Sequence, residues 1–280
     1  MLEKAISYAI DVESSVKVVQ VTDPHLFADQ DAQLLGVNTA KSLHAVLNTI
    51  GTDHSLADFM LASGDISQDY SAASYHHFVK AVLPLGLACH YLPGNHDDPR
   101  IMRLNMQGAN IFGQRRILAG NWQIIMLDST VRGKPGGFIS ETELELIRMA
   151  AESEPERHIL LVMHHNPIKV NCGWLDQHWM SNGHEFLEQV AQLTQVKGLL
   201  WGHVHQQIDQ EYLGQHGPIQ LMATPSTCIQ FKPKSSYFAL DAVQPGYRLL
   251  DLKADGRILT HIYRIPGEHF SPDKSSDGYA

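Results

Sequence analysis

Through the first 200 residues, short apolar runs rich in β-branched residues alternate with segments whose apolar positions recur at helical spacing. "VKVVQV" (16–21) reads as a strand, and Leu43, Val46, Leu47 and Ile50 follow at i, i+3, i+4, i+7, one face of a helix. "DFMLAS" (58–63) is the next strand; Tyr75, Phe78, Val79 and Val82 give a second helical face, with Gly86 just beyond its end. "LACHYL" (87–92) and "WQIIMLD" (122–128) read as strands, and Ser140 with Glu143 three residues on has the pattern of a capping box opening a helix. "HILLVM" (158–163), a helix through Phe186, Leu187, Val190 and Leu193, and "KGLLW" (197–201) continue the alternation. Beyond about residue 205 the helical period stops, and "IQLMAT", "SSYFALDAV", "GYRLLDL" and "RILTHIYRI" read as successive strands between Gly and Pro turns. Alternation of strand and helix predicts an α/β layered fold. The strand-rich final third predicts a second sheet or an antiparallel extension. No linker-like stretch separates the two parts, so a single domain is expected over 1–266, followed by a polar, flexible tail at 267–280.

Five of the apolar runs end in the same kind of chemistry. "VKVVQVT" leads into Asp23-Pro24-His25, "FMLAS" into Gly64-Asp65, and "HYLP" into Gly94-Asn95-His96-Asp97. "ILLVM" leads into His164-His165, and "GLLW" into Gly202-His203-Val204-His205. Ligands bind outside the carboxyl ends of strands in open α/β sheets, so these five ends can serve one crevice. Each motif alone is weak, although His203 and His205, at i and i+2, face the same side if the chain there is extended. Five unrelated polar loops would have no reason to choose Asp, Asn and His over Ser, Lys and Glu. Carboxylate, amide oxygen and imidazole together suit divalent Fe, Mn, Zn or Co, and no Cys is present to make a thiolate zinc site. Two carboxylates, one Asn and four His exceed what one ion takes and suit two ions sharing a carboxylate.

Composition narrows the partners. The chain has 280 residues and a net charge of -9 with His neutral, which disfavours a nucleic-acid backbone as partner. Bound divalent ions would still give an acidic protein a local positive site for a phosphate ester. No apolar run approaches the roughly 20 residues of a membrane span, and the N-terminal stretch, with Glu3, Asp11 and Glu13, makes a poor secretory leader. Cys89, Cys172 and Cys228 form neither a disulfide framework nor a CxxC pattern, which fits a reducing cytoplasm. Of 17 histidines, those at 44, 54, 76, 77, 90, 158, 184, 216, 261 and 269 are read as surface or satisfied core residues.

The ordered set D-x-H, G-D, G-N-H-D, H and G-H-x-H, spanning about residues 16–206, resembles the calcineurin-like metallophosphoesterase superfamily. "DPHLFAD…LLGVNT", "GWLDQH" (173–178) and "ATPSTCIQFKP" (223–233) look more narrowly like its bacterial class III 3′,5′-cyclic-AMP phosphodiesterase branch. The resemblance implies a four-layer αββα sandwich of two mixed β-sheets flanked by helices. It implies two divalent metals, Fe, Mn, Zn or Co, with Asp23, His25 and His205 on one, Asn95, His164 and His203 on the other, and Asp65 bridging them. The family uses one His where this chain has two. His164 comes first off the strand and is favoured, which leaves His165 behind it or facing substrate.

The activity so implied is hydrolysis of 3′,5′-cyclic AMP to 5′-AMP by a metal-bridging hydroxide, with His96 as general acid toward the leaving oxygen. Substrate contacts fall to His25, Asp65, Asn95, His96 and His205. Asp97 either orients His96 or caps the next turn. Trp174, His178 and Phe231 either line a base pocket or pack as core or lid. The alternatives are a metallophosphoesterase for another small diester or a monoester, a scaffold on an inactive fold, and a nuclease. The intact motif set speaks against the scaffold and the charge against the nuclease. Oligomeric state is not readable.

Overall fold

The computed structural model describes residues 2–54, 56–276 and 278. Two mixed sheets stack face to face. The six-stranded sheet runs in the order Ile258–Arg264, Gly246–Leu252, Val16–Val21, Phe59–Ser63, Ala88–Leu92, Ile111–Phe112. Its last four strands are parallel, and the first two pair antiparallel. The seven-stranded sheet runs Ile6–Tyr8, Arg116–Ala119, Trp122–Met126, His158–Val162, Val196–Trp201, Gly217–Ala223, Ile208–Gly214. The strands from Trp122 to Ala223 are parallel there, and each flank carries an antiparallel pair.

Residue parity explains the layers. In Val16–Val21, Val16 and Val18 face the other sheet, whereas Val19 and Val21 face the helices. Phe59 and Leu61 likewise meet Trp122, Ile124, Leu160 and Val162 between the sheets. The outer face of the six-stranded sheet is covered by helices Thr39–Asp53 and Ala72–Val82 through Leu43, Val46, Leu47, Tyr75 and Phe78. Helices Glu141–Ser153 and Gly183–Val190 cover the outer face of the other sheet through Leu144, Ile147, Phe186 and Leu187. Central strands are therefore buried on both faces, which is why they read as continuous apolar runs rather than as alternating ones. The expected four-layer sandwich is the architecture observed.

Some elements differ from expectation. "SSYFALDAV" supplies only the two-residue strand Leu240–Asp241; Tyr237 is exposed, and Ser235 turns back on Tyr237 O. Edge strand Ile208–Gly214 escapes the sequence pattern because most of its residues face solvent. Ser140 does cap its helix, accepting from Glu143 N, but the Glu143 carboxylate turns to Arg115 and Asp128 N instead of closing the box. Beyond Gly267, Gln244 Oε1 accepts from His269 N and Phe270 N, and Asp273 N donates to Leu35 O at 2.7 Å. Residues 277, 279 and 280 of the expected tail lie outside the described residues.

Candidate metal centre

Strands Val16–Val21, Phe59–Ser63 and Ala88–Leu92 of one sheet, and His158–Val162 and Val196–Trp201 of the other, end on one side of the sandwich. Backbone bonds lash their loops together: Asp23 N to Gly64 O at 3.0 Å, His25 N to Asp65 O at 3.0 Å, and Gly202 N to His164 O at 3.2 Å. The loops approach so closely that side chains are excluded at two glycines. A Cβ on Gly94 would fall on Asp65, and one on Gly202 on Thr22 Oγ1 and Asp23 Oδ2.

Asp23, His25, Asp65, His203 and His205 all sit in left-handed backbone, with φ of 53°, 48°, 50°, 63° and 47°. That region costs an L-residue roughly 1–2 kcal/mol, and Asn, Asp and His tolerate it better than bulky residues. The strain turns each chain sharply at the strand end and throws the side chain inward. It also corrects the reading of His203 and His205 as an extended i, i+2 pair, because neither backbone is extended.

Histidine orientation is set from behind. His25 Nδ1 meets Gln68 Oε1 at 2.7 Å, His164 Nδ1 meets Ser63 O at 2.8 Å, and His205 Nδ1 meets Ile229 O at 2.9 Å. Each Nδ1 then carries the proton, and each Nε2 presents a lone pair to the centre. Those lone pairs converge on oxygen acceptors and on each other. His164 Nε2 lies 3.2 Å from Asp65 Oδ2 and 3.2 Å from Asn95 Oδ1; His205 Nε2 lies 3.3 Å from Asp23 Oδ1 and 3.1 Å from His25 Nε2. Asp65 Oδ2 is also 3.8 Å from His25 Nε2, so this carboxylate stands between the two histidine groups. His203 Nε2 is buried with no hydrogen-bond partner among the described residues.

Electrostatics point the same way. Burial raises both carboxyls, but His205 and His164 bring Asp23 below the ordinary carboxylate range, and His164, His96 and His25 bring Asp65 well below it. Burial drives His25 down to about 3 and His203 well below its ordinary value. His164 is the exception: despite burial, the Asp65 and Asp23 charges lift it to about 9. Two buried anions therefore have only histidines as ion-pair partners among the described residues. With no cation present, a protonated His164 is what offsets the two carboxylates; inward-facing imidazole nitrogens, the orphaned His203 Nε2 and two buried carboxylates are what divalent cations satisfy, so the donor set fits two such ions. Donor atoms within 4.8 Å of one another form the sets Asp23–His25–His205, Asp23–Asp65–His164 and His164–His165–His203.

His165 is separated from His164 by its contacts. Its Nδ1 pairs with Ser129 Oγ at 2.8 Å and its Nε2 with Pro135 O at 3.2 Å, so both ring nitrogens hold the loop between those residues. His96 donates its backbone N–H to Asp65 Oδ1 at 2.8 Å, and its half-buried ring packs edge-on to His25 with centroids 5.1 Å apart. Asp97 does neither job considered for it. Its carboxylate accepts from Gly94 N, Ser67 N and Ile66 N, tying the Asn95 loop to the Asp65 loop, whereas Asp98 caps helix Pro99–Asn105. Burial and the Asp65 charge raise Asp97 to about 7.

Two cavities flank Asn95 and His96. The larger, about 720 Å³, is rimmed by Arg100, Arg132 and Lys134. The smaller, about 260 Å³, brings together Trp174, His178 and Phe231 with Phe238 and His203. Several supporting groups have no sequence signal. The Ser63 and Ile229 carbonyls are backbone atoms, and Gln68 and Ser226, whose Oγ donates to Asp23 O at 2.7 Å, look like ordinary loop residues.

The family model described as calcineurin-like phosphoesterase matches residues 16–207, and the chain belongs to this family. Its fold recurs in a dimetal phosphatase from Danio rerio, with a TM-score of 0.58 at 13% identity over 90% of this chain and 99% of that one. It recurs also in a purple acid phosphatase from yellow lupin, with a TM-score of 0.59 at 14% identity over 91% of this chain and 55% of that one. Among curated relatives, the chain is 42% identical over 279 residues to the 3′,5′-cyclic adenosine monophosphate phosphodiesterase CpdA of Escherichia coli (strain K12), covering 99% of this chain and 100% of the relative. The CpdA of Pseudomonas aeruginosa is 39% identical, over 95% of this chain and 96% of its own. A 3′,5′-cyclic-nucleotide phosphodiesterase of Nostoc sp. is 33% identical over 90% of this chain and 93% of its own. No helix among the described residues is long and apolar enough to cross a membrane.

Proposed function

We propose that the protein hydrolyses 3′,5′-cyclic AMP to 5′-AMP at this centre. The observation that carries the reading is the convergence of seven donor side chains from five strand ends, three imidazoles being fixed from behind with Nε2 inward. Full-length similarity to phosphodiesterases named for cyclic AMP supports the substrate. Asp23, His25 and His205 would hold one ion, Asn95, His164 and His203 the other, and Asp65, standing between His25 and His164, would be shared. His165 is not a ligand on this reading, because its ring nitrogens are engaged by Ser129 and Pro135.

When bound, the ions supply a coordinated water of near-neutral pKa and neutralise charge on the phosphoryl oxygens. The chain's own residues do the rest. Asn95 and His96 line both cavities, and His203 also lines the smaller one, so the diester enters here. The ribose 3′-oxygen leaves as a poor alkoxide, and His96 protonates it as the P–O3′ bond breaks, a general-acid contribution of about 10²–10⁴-fold. Asp65 sets the position of His96 through its backbone N–H, while Asp97 holds that loop against the Asp65 loop. Iron and manganese are the metals favoured, with zinc and cobalt also suited to these ligands. Residues 1–266 act as one domain, a view supported by the core shared between the sheets. The net charge of -9 supports a small phosphodiester over a nucleic acid as partner. Three buried free cysteines are in keeping with the cytoplasm.

The test is a substrate panel with protein freshly loaded with Mn²⁺ or Fe²⁺: 3′,5′-cyclic AMP, 2′,3′-cyclic AMP, bis(p-nitrophenyl) phosphate and p-nitrophenyl phosphate. Metal-dependent conversion of 3′,5′-cyclic AMP to 5′-AMP is expected. Cleavage of the artificial diester with no action on 3′,5′-cyclic AMP would keep the two-metal site and discard the substrate.

A further inference from the structure

Two cavities of opposite character meet at Asn95 and His96, and a nucleotide held there must put its base into one of them. The larger is rimmed by Arg100, Arg132 and Lys134, with Asp97 and Asp98 also in its lining, and Tyr70 and His96 are the aromatic side chains among its described residues. The smaller is aromatic. Trp174 packs edge-on against Phe231, with centroids 4.7 Å apart, and against Phe238 at 5.0 Å. Phe231 in turn stacks on the His205 ring at 4.3 Å and 17°, so the aromatic wall is continuous with the proposed metal ligands. At about 260 Å³ the cavity is smaller than the roughly 300–1,000 Å³ of pockets that take whole drug-sized ligands, so it suits part of a nucleotide.

Its polar equipment is sparse and specific. Trp174 contributes its ring, its Nε1 being buried out of contact with the cavity. His178, four residues on, lines the same cavity, and burial keeps its imidazole neutral, so it can donate from one nitrogen and accept at the other. The loop carrying both is braced. The Asp176 carboxylate accepts from Val170 N at 2.7 Å and Cys172 N at 3.2 Å, and Gly173 N donates to Ser235 O at 2.9 Å. Apolar rings beside an imidazole match a flat heterocycle that carries ring nitrogens.

We propose that the cavity of Trp174, His178, Phe231 and Phe238 is the nucleobase subsite and that it selects purines. Bicyclic bases offer the larger stacking face to the aromatic wall. The larger, charged cavity opposite takes no base. This inference rests on the cyclic-nucleotide reading above, and the test separates the two.

The test measures kcat/KM for 3′,5′-cyclic AMP, 3′,5′-cyclic UMP and bis(p-nitrophenyl) phosphate in the metal-loaded protein and in Trp174→Ala and Phe238→Ala. Wild type is expected to prefer cyclic AMP over cyclic UMP by about 10-fold or more. In Trp174→Ala, the ratio of kcat/KM for cyclic AMP to that for bis(p-nitrophenyl) phosphate falls about 10- to 100-fold, chiefly through KM, as loss of one base-stacking contact requires. Trp174→Phe and Phe238→Leu carry the test if the alanine variants do not fold. Alongside, adenosine, which has no phosphate, should quench tryptophan fluorescence in wild type and not in Trp174→Phe. Equal losses on both substrates, an unchanged purine preference, or quenching that survives in Trp174→Phe would overturn the subsite. Quenching lost in Trp174→Phe, with cyclic AMP left uncleaved by wild type, would uphold the subsite and remove the hydrolytic reading.

Discussion

The core between the two sheets and the strand ends above it are built on opposite rules. Between the sheets, Val16, Val18, Phe59, Leu61, Trp122, Ile124, Leu160 and Val162 are fully buried in regular extended backbone. A few residues further along the same strands, Asp23, Asp65, His203 and His205 are nearly as buried, yet they are polar and left-handed. The first region gains free energy from every residue it buries. The second opposes folding through strain and desolvation, and it persists because the backbone bonds between loops and the bracing of each imidazole leave it no alternative. The two regions share strands, so the apolar core holds the strained ends in place, and divalent cations there would relieve their charge.

Substitutions can separate these rules. The largest effect is expected from Asp65→Ala. It should lower the metal-to-protein ratio below two and cut turnover beyond the about 10²–10⁴-fold of a general acid, because nucleophile generation goes with the shared ligand. Full occupancy with full activity would refute the shared role; elemental analysis with kinetics decides. His96→Ala is expected to lose about 10²–10⁴-fold in kcat with both ions kept. Metal loss in that variant would move His96 into the ligand set.

Phe59→Ala should destabilise the fold by about 3–5 kcal/mol, read by denaturant unfolding, while the folded fraction keeps its metal content. If occupancy collapses in step, the core and the strand ends are not separable.

A pH series sharpens the same contrast through His90, a core histidine remote from the donor set. Burial lowers it from 6.5 to about 4, and its Nε2 is 2.7 Å from the Tyr8 hydroxyl. Below its unfolded pKa the unfolded chain binds a proton that the folded ring refuses. Stability from this group is therefore present above about 6.5 and declines as pH falls toward about 4, by roughly 3 kcal/mol in all. His90→Gln should flatten that part of the stability–pH curve, and an unchanged slope would refute it. The smallest effect is expected from Gln68→Ala, which removes the Oε1 contact to His25 Nδ1 and should weaken metal binding about 10–100-fold without unfolding the protein. Calorimetric metal titration reads it.

Much of this molecule was legible in the chain, and the reason is physical. Strands such as "FMLAS" and "ILLVM" are apolar on both faces because both faces are covered, and that composition is a local property. Asp23, His25, Asp65, Asn95, His164, His203 and His205 stood out because each follows such a strand directly, and parallel strands deliver their ends to one side. The fold then decided what no local pattern carries. It separated His164 from His165, since only the assembled loop brings Ser129 and Pro135 to the second ring. It gave Asp97 to three backbone N–H groups rather than to His96 or a helix cap. It made "SSYFALDAV" mostly a loop, with Phe238 at the aromatic cavity, although its composition suits a strand. Strand and helix follow from neighbours in sequence and from burial, which composition records. Hydrogen-bond partners 30 to 204 residues away, such as Ser67 for Asp97 or Thr224 for Gln20, exist only once the sheets have stacked.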